Sequence, residues 1–332
     1  MKIVAGLGSI DEYIPYVKAG ADELFCGYVP ESWSKKYGTM LPLNRREVLY
    51  YNVQVGAMSE LKILRSMMDV YGVPVKLTFN SLFYLPEQYP EIAGIIVDCI
   101  KNGFDTFIIA DPALVLYLRK HRIPCRIHLS GELSEVNRPM IESFLKMDVQ
   151  RIIFHRKNTI EDMHSCISYI QKQCEETGIE APEYESFVLN EMCHFTGAFC
   201  NSLHCDELPH LCRVPYWLGD RKTGDSTMNE ERIQNNLEHE EMRQDEELDE
   251  YQTGSSGCGL CALPELRSAG VTHLKLVGRG GHVLDMRQDI MQLKKALDLL
   301  EEYPDLNHAE QYRNRMKELL FEHDCSHVCY YR

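Results

Sequence analysis

Short apolar runs alternate with amphipathic stretches along most of the chain, and a glycine or polar residue follows nearly every run. Runs of this length, bounded by turn residues, predict buried strands. The stretches between them carry apolar residues at helical spacing, as in Met58–Tyr71 and Ile160–Glu176, and predict helices. The eight predicted strands are 2–5, 23–26, 75–79, 105–110, 126–129, 151–154, 184–189 and 273–277. The stretch 28–52 is polar and aromatic, and its length predicts a functional loop rather than a simple connection.

Eight strands that alternate with helices predict an α/β fold, a TIM-like (β/α)8 barrel, with the eighth strand at 273–277. A doubly wound open sheet has the same alternation and stays open as the alternative. The 332 residues suffice for one such barrel. We expect the barrel at 1–303, including a cysteine-rich loop and an acidic insertion at 221–256 between strands seven and eight. A C-terminal tail at 304–332 follows.

Composition and charge limit the classes of partner. The chain is 44% hydrophobic with a formal net charge of −15, much of it in the acidic segment 229–251. Such a surface repels phosphate backbones and argues against non-specific nucleic-acid binding, although a local basic groove remains open. No apolar run is long enough to span a bilayer, and the N-terminus lacks the pattern of a secretory signal. We therefore expect a cytoplasmic protein.

Cysteines crowd the region after the seventh predicted strand. In a reducing compartment such clusters indicate metal or redox chemistry rather than disulfides. Soft thiolates suit both zinc and iron–sulfur clusters, and unliganded thiols are a third interpretation. A zinc ribbon would have two Cys-x2-Cys knuckles, whereas this sequence has one, so we favour iron–sulfur. The cysteines in question are Cys193, Cys200, Cys205 and Cys212, followed by the pair Cys258 and Cys261.

Two other groups of cysteines need separate interpretations. Cys325 and Cys329 form a Cys-x3-Cys pair near the C-terminus. This pair belongs to a frayed tail, or folds back as alternative ligands or a redox couple. The remaining cysteines lie on apolar patterns and predict small buried side chains, namely Cys26, Cys99, Cys125, Cys166 and Cys174.

Polar side chains recur at or just after the ends of predicted strands. These ends meet at one face of a barrel, where active sites of this fold lie. Each of these residues alone could be a helix cap or a turn residue. Their shared position at one face of the barrel predicts that together they line an active site. Its two arginines would grip an anionic group, because a guanidinium donates two parallel hydrogen bonds to a carboxylate. The candidate catalytic residues are Asn80, Asp111, His128, Ser130, Arg156 and Arg279.

With these positions placed, the chain resembles the U32 peptidase family, also called collagenase-like proteases. The resemblance runs from residue 1 to about 300 in the family's order. In size the chain resembles the short members of the family, which are related to the UbiU and UbiV proteins of oxygen-independent ubiquinone hydroxylation and to RNA-hydroxylation proteins. The matching stretches are Gly20–Gly27, Leu77–Asn80, Ala110–Pro112, Ile127–Ser130, Phe187–Cys193, Cys200, Cys212–Arg213 and Leu274–Arg279.

The resemblance implies a TIM-like barrel with a [4Fe–4S] cluster and prephenate as co-substrate and oxygen donor. Carried over residue by residue, Cys193, Cys200 and Cys212 are cluster ligands, completed by Cys261 or Cys258. The implied activity is iron–sulfur-dependent, oxygen-independent hydroxylation of an RNA base or a quinone-like small molecule. The implied partners are a small anionic co-substrate and a protein of the same family. An RNA substrate is allowed by the resemblance but is not indicated by the charge.

Two departures and two alternatives accompany this expectation. Asn190 stands where many family members have histidine, and Val277 replaces a glutamate. The family name suggests a peptidase, but the sequence contains neither Gly-x-Ser-x-Gly nor His-Glu-x-x-His. A cysteine–histidine nucleophile remains arithmetically open. The other alternative is a non-catalytic, cluster-bearing partner subunit that uses the acidic segment for docking.

Overall fold

The strands form a closed parallel barrel. The computed structural model describes residues 1–47, 53–193, 200, 251–321 and 325–331. The first strand pairs with both the second and the last, with Lys2 opposite His273, so the sheet closes and the open-sheet alternative is excluded. The described strands are β1 Lys2–Gly6, β2 Glu23–Tyr28, β3 Gln54–Val55, β4 Val75–Phe79, β5 Thr106–Ile109, β6 Arg126–Leu129, β7 Arg151–Ile153, β8 Glu183–Leu189 and β9 His273–Leu276.

The sequence did not predict strand β3, which pairs with β2 and lies outside the ring of eight strands. The other eight strands agree with the predicted runs to within one or two residues at each end. The (β/α)8 prediction is therefore confirmed. Apolar residues of the strands and of the surrounding helices pack into one large cluster outside the sheet.

Helices surround the barrel. Local signals fix several ends: Asn137 and Thr159 accept backbone N–H groups at helix starts, and Gly72 ends another helix at φ +74°. None of the helices in the described ranges is long and apolar enough to cross a membrane. The helices are α1 Tyr13–Ala19, α2 Glu31–Tyr37, α3 Met58–Tyr71, α4 Tyr89–Lys101, α5 Pro112–Lys120, α6 Arg138–Leu145, α7 Ile160–Thr177, α8 Leu263–Ala269, α9 Val283–Leu300 and α10 Ala309–Leu320.

Two of these helices lie where we predicted no helix. Helix α2 falls within the stretch 28–52 that we read as a loop, and it buries Trp33 completely. Helix α10 falls within the stretch 304–332 that we read as a tail, and it buries Tyr312 and Met316. Both helices are held by a few buried side chains rather than by a long apolar stripe.

The barrel interior has an ionic layer. Arg151 donates to Glu23 and Glu185, each at 2.8 Å, and Lys275 donates to Glu185 at 2.8 Å. Although burial favours protonation, Lys275 and Arg151 hold the pKa of Glu185 below its ordinary value. The charges of this layer therefore neutralise one another, since each buried charge has a partner of opposite sign.

Above this layer lies a small apolar cluster separate from the outer core. It comprises Val4, Phe25, Ile108, Ile153 and Phe187, one from each of five strands, and all are nearly inaccessible to solvent. The cluster lies on the side of the ionic layer that faces the C-terminal ends of the strands, and Lys275 contacts it through the Phe25 ring. It forms the floor on which any ligand at the barrel mouth would rest.

The last residues of the chain fold back onto the barrel. Cys258 N donates to the Val328 carbonyl at 2.8 Å, and Tyr330 N donates to the Cys258 carbonyl at 2.9 Å. Tyr331 Oη donates to the Phe187 carbonyl at 2.6 Å, at the end of β8. The segment 325–331, which we call the C-terminal strap, therefore lies beside the barrel mouth.

Candidate functional site

A cavity of about 330 Å³ opens at the C-terminal ends of the barrel strands, and we call it the mouth pocket. Its floor is the apolar cluster, including Phe25 and Phe187. Four of the six predicted catalytic residues line it, together with one predicted cluster ligand. They are Asn80, Ser130, Arg156 and Arg279, with Cys193.

The other two predicted catalytic residues do not line the pocket. Asp111 accepts from Ala113 N at 2.8 Å as the cap of α5, and from Tyr89 Oη at 2.9 Å. Its carboxylate is thereby engaged in local structure. His128 lies in the ionic layer opposite Arg151, where burial and the neighbouring cations hold its pKa well below the ordinary value. His128 is therefore a neutral imidazole under the pocket floor.

Arg279 is a buried cation in the mouth pocket, with 6% of its surface exposed. Its Nη1 donates to Thr78 Oγ1 at 3.2 Å, and no carboxylate in the described part of the chain forms an ion pair with it. Burial lowers the pKa of Arg279 to about 10. Glycines make room for the side chain, because a Cβ at Gly6 or Gly27 would approach it to 2.7 Å.

Arg156 is the second buried arginine that lines the pocket. Its Nη1 donates to Glu132 Oε1 at 2.9 Å, and its guanidinium lies 4.0 Å from the centre of the Phe187 ring. Its Nε is buried and has no hydrogen-bond partner among the described residues. A buried N–H without a partner is costly, so this group is ready to donate to a ligand.

Sequence reasoning missed two further arginines of the pocket. Arg45 and Arg46 come from the stretch read only as a long functional loop. Arg46 Nη1 donates to Glu191 Oε1 at 2.7 Å, whereas Arg45 Nε is 3.9 Å from Glu132 Oε2. The doublet Arg45-Arg46 in an otherwise unassigned loop was the available signal. Lys275 also lines the pocket but is paired with Glu185, so four arginines against two carboxylates leave the pocket with a net positive charge.

A backbone reversal delivers Cys193 to the mouth. Asn190 and Glu191 both adopt left-handed conformations, with φ of +67° and +46°. Asn190 is held there by a donation from its Nδ2 to Asp289 Oδ2 at 2.5 Å and from its backbone N to the Gly257 carbonyl. Such conformations cost free energy outside glycine and persist when the surroundings fix them.

A second cavity, of about 750 Å³, lies behind the mouth pocket, and we call it the thiol cavity. Cys193, Cys261 and Cys329 line it. It shares Arg156, Met192 and Cys193 with the mouth pocket. A soft metal in the thiol cavity would thus adjoin an anion in the mouth pocket.

The remaining candidate ligands are placed less directly. The backbone of Cys258 forms a β-bridge with the backbone of Cys329 in the strap. A Cβ at Gly254 would lie 3.2 Å from Cys258 Sγ. Cys200 is buried. Within the described ranges, no three metal-binding side chains are close enough together to hold an ion. Cys205, Cys212 and the acidic segment lie outside the described residues.

The sequence model of peptidase family U32 matches residues 8–332. The chain belongs to peptidase family U32. The resemblance deduced from the strand-end motifs is thereby confirmed at the level of the family. The relation to UbiU and UbiV, the cluster and the hydroxylation chemistry stay predictions.

Two solved structures are similar to this U32 protein at low sequence identity. A structure titled as that of the U32 peptidase Mk0906 is 13% identical over 57% of this chain and 69% of that chain, with a TM-score of 0.40. A putative dihydrodipicolinate synthetase from Pseudomonas aeruginosa is 10% identical over 96% of this chain and 82% of that one, with a TM-score of 0.42. These values are too low to bear on function. Among curated proteins, none matches the chain.

Proposed function

We propose that this U32 protein binds a small dicarboxylate at the barrel mouth beside a [4Fe–4S] cluster and takes part in oxygen-independent hydroxylation. The observation that carries the proposal is the buried, unneutralised Arg279 guanidinium in a pocket that also contains Cys193. Unpaired buried charges are retained chiefly at functional sites. An anionic ligand would neutralise this one.

In this proposal each of two arginines binds one carboxylate of the ligand. Arg279 and Arg156 both line the pocket, Arg279 with its charge unneutralised and Arg156 with an unpartnered Nε–H. Each can hold one carboxylate, because guanidinium donors match carboxylate oxygens in geometry and charge. Between them, Phe25 and Phe187 offer an apolar floor to a ring. A prephenate-like dicarboxylate fits this arrangement of charge and apolar surface.

The amide and hydroxyl groups of the pocket complete its polar surface. The Asn80 side-chain oxygen already accepts from Arg45 N at 3.1 Å, and Ser130 Oγ accepts from Glu132 N at 3.2 Å. The Asn80 amide and Ser130 hydroxyl protons remain as donors for a ligand's neutral oxygens. These residues would orient the co-substrate over the floor and exclude water from it.

The cysteines fit a thiolate-bound cluster. Cys193 lies on the wall shared by both cavities, and Cys261 lines the thiol cavity. Cys193, Cys200 and Cys212 would hold the cluster with Cys261 or Cys258 as the fourth ligand, and the position of Cys261 on the cavity favours it. The cluster would supply one-electron chemistry next to the bound anion.

Binding of prephenate separates this proposal from its alternatives. Anaerobically purified protein should bind prephenate in a calorimetric titration, and phenylpyruvate, which carries one carboxylate, should bind more weakly. Both Arg156→Ala and Arg279→Ala should weaken binding while the iron content stays unchanged. Equal affinity of both variants and the wild type would refute the pocket assignment. Cleavage of peptides by metal-free protein, without prephenate binding, would instead support a hydrolase.

A further inference from the structure

Tyr330 of the C-terminal strap stands at the wall between the mouth pocket and the thiol cavity. It lines the thiol cavity, and its ring packs against the apolar cluster that floors the mouth pocket. A Cβ at Gly257 would lie 2.9 Å from this ring, so the chain leaves space for it there. A residue near the end of the chain thus reaches the predicted site.

The Tyr330 hydroxyl has two partners at this wall. It donates to the Asn190 carbonyl, in the backbone reversal that delivers Cys193. Its second neighbour is the Arg156 guanidinium, which lines the thiol cavity together with Tyr330 and, as a nearby cation, limits the rise in the pKa of the hydroxyl. Burial raises the pKa of Tyr330 to about 12, so the hydroxyl is neutral and keeps its proton near pH 7.

Arg156 is consequently held from three directions. Glu132 binds its Nη1, the face of Phe187 lies beneath it, and the Tyr330 hydroxyl lies beside it. Its Nε is left over as the buried donor without a partner. The direction in which that donor points depends on all three contacts.

The strap is fixed to the barrel independently of Arg156. Two backbone hydrogen bonds join it to Cys258, and Ser326 Oγ donates to the Gly254 carbonyl at 2.8 Å. Tyr331 supplies a further anchor through Phe187 O. Because none of these hydrogen bonds involves Arg156 or the Tyr330 hydroxyl, loss of that hydroxyl should leave the strap docked.

We propose that Tyr330 is a positioning residue of the mouth pocket, through which the C-terminal strap holds the Arg156 guanidinium for anion binding. The inference rests on the proposed function only in taking the ligand to be an anion. It extends the site to a segment that is 137 residues from Cys193 in sequence and that no strand-end motif indicates.

The test compares Tyr330→Phe with Tyr331→Phe, which each remove one hydroxyl from adjacent positions. Tyr330→Phe should weaken prephenate binding about three- to tenfold, the usual effect of one hydrogen bond. Tyr331→Phe loses the bond to the Phe187 main-chain carbonyl but no contact with Arg156 or with the Phe187 ring, so its affinity should match the wild type. If both variants lose affinity equally, docking of the strap rather than Tyr330 is responsible, and the proposal is wrong.

A ligand-free measurement keeps this test separate from the proposed function. The Nε–H resonance of Arg156 in a ¹⁵N spectrum can be assigned by its loss in Arg156→Lys. It should shift in Tyr330→Phe and stay in place in Tyr331→Phe. An unchanged resonance in Tyr330→Phe overturns the positioning role even if prephenate binds. A shifted resonance without prephenate binding supports the role of Tyr330 and refutes the proposed ligand.

Discussion

Replacing Arg279 by methionine should weaken anion binding and stabilise the protein at the same time. Methionine keeps much of the volume and removes the charge. Burial lowers the pKa of Arg279 from 12.5 to about 10, which corresponds to about 3 kcal/mol of unfavourable free energy for the charged form. The bonds from Arg279 to Thr78 and to the Arg46 carbonyl offset about 1 to 2 kcal/mol of this.

The net change in the free energy of unfolding should therefore be an increase of about 1 to 2 kcal/mol in Arg279→Met. An anion that neutralises the guanidinium recovers up to the full cost of the buried charge. Prephenate affinity should accordingly fall roughly 100-fold in the variant. The buried charge of Arg279 thus lowers the stability of the fold and strengthens anion binding, a combination that is common at functional sites.

The assays are urea unfolding without ligand and calorimetric titration with prephenate. Arg151→Met is the matched control, because Arg151 is equally buried but paired with Glu23 and Glu185. Removing the Arg151 charge leaves those carboxylates buried without a partner and should destabilise the protein by about 3 to 5 kcal/mol. If Arg279→Met is destabilised as much as Arg151→Met, or binds prephenate like the wild type, the reasoning about an unneutralised charge is wrong.

Three further predictions concern neighbouring groups. Gly27→Ala places a Cβ 2.7 Å from Arg279 Nη1 and should weaken prephenate binding in calorimetry, whereas Gly94→Ala, which meets open space, should not. Burial raises the pKa of Glu47 to about 7, so its ionisation should destabilise the fold as the pH rises from about 4.5 to 7. Glu47→Gln should flatten that decline in urea unfolding; an unchanged pH profile contradicts this. Cys193→Ala, Cys200→Ala and Cys212→Ala should each lower bound iron in anaerobic metal analysis, and Cys205→Ala should not; equal iron in all four contradicts the ligand set.

The barrel was predictable because its strands are local features. The run in β1 is apolar on both faces, with Ile3 and Ala5 in the outer core and Val4 in the inner cluster, and it ends at Gly6. Arg156 and Arg279 follow such runs directly, so their place at the mouth could be read from the order of the chain. Asp111 follows a strand too, but Pro112 marks it as a helix cap, since proline favours the first helical position.

The missed features depend on contacts between distant parts of the chain. The strap reaches the barrel through a backbone β-bridge between Cys329 and Cys258, and no local sequence pattern encodes this bridge. His128 was assigned to the mouth because it lies near a strand end, but it packs beside Arg151 in the layer below. Strand position alone did not distinguish these two layers, because their separation depends on how all eight strands stagger in the closed barrel.

The measurement that tests the central claim most directly is iron and acid-labile sulfide analysis of protein purified without oxygen, together with its absorption spectrum. The account predicts a brown protein with equal amounts of iron and sulfide, roughly four of each per chain. Protein that holds zinc, or no metal, after reconstitution under reducing conditions would contradict it.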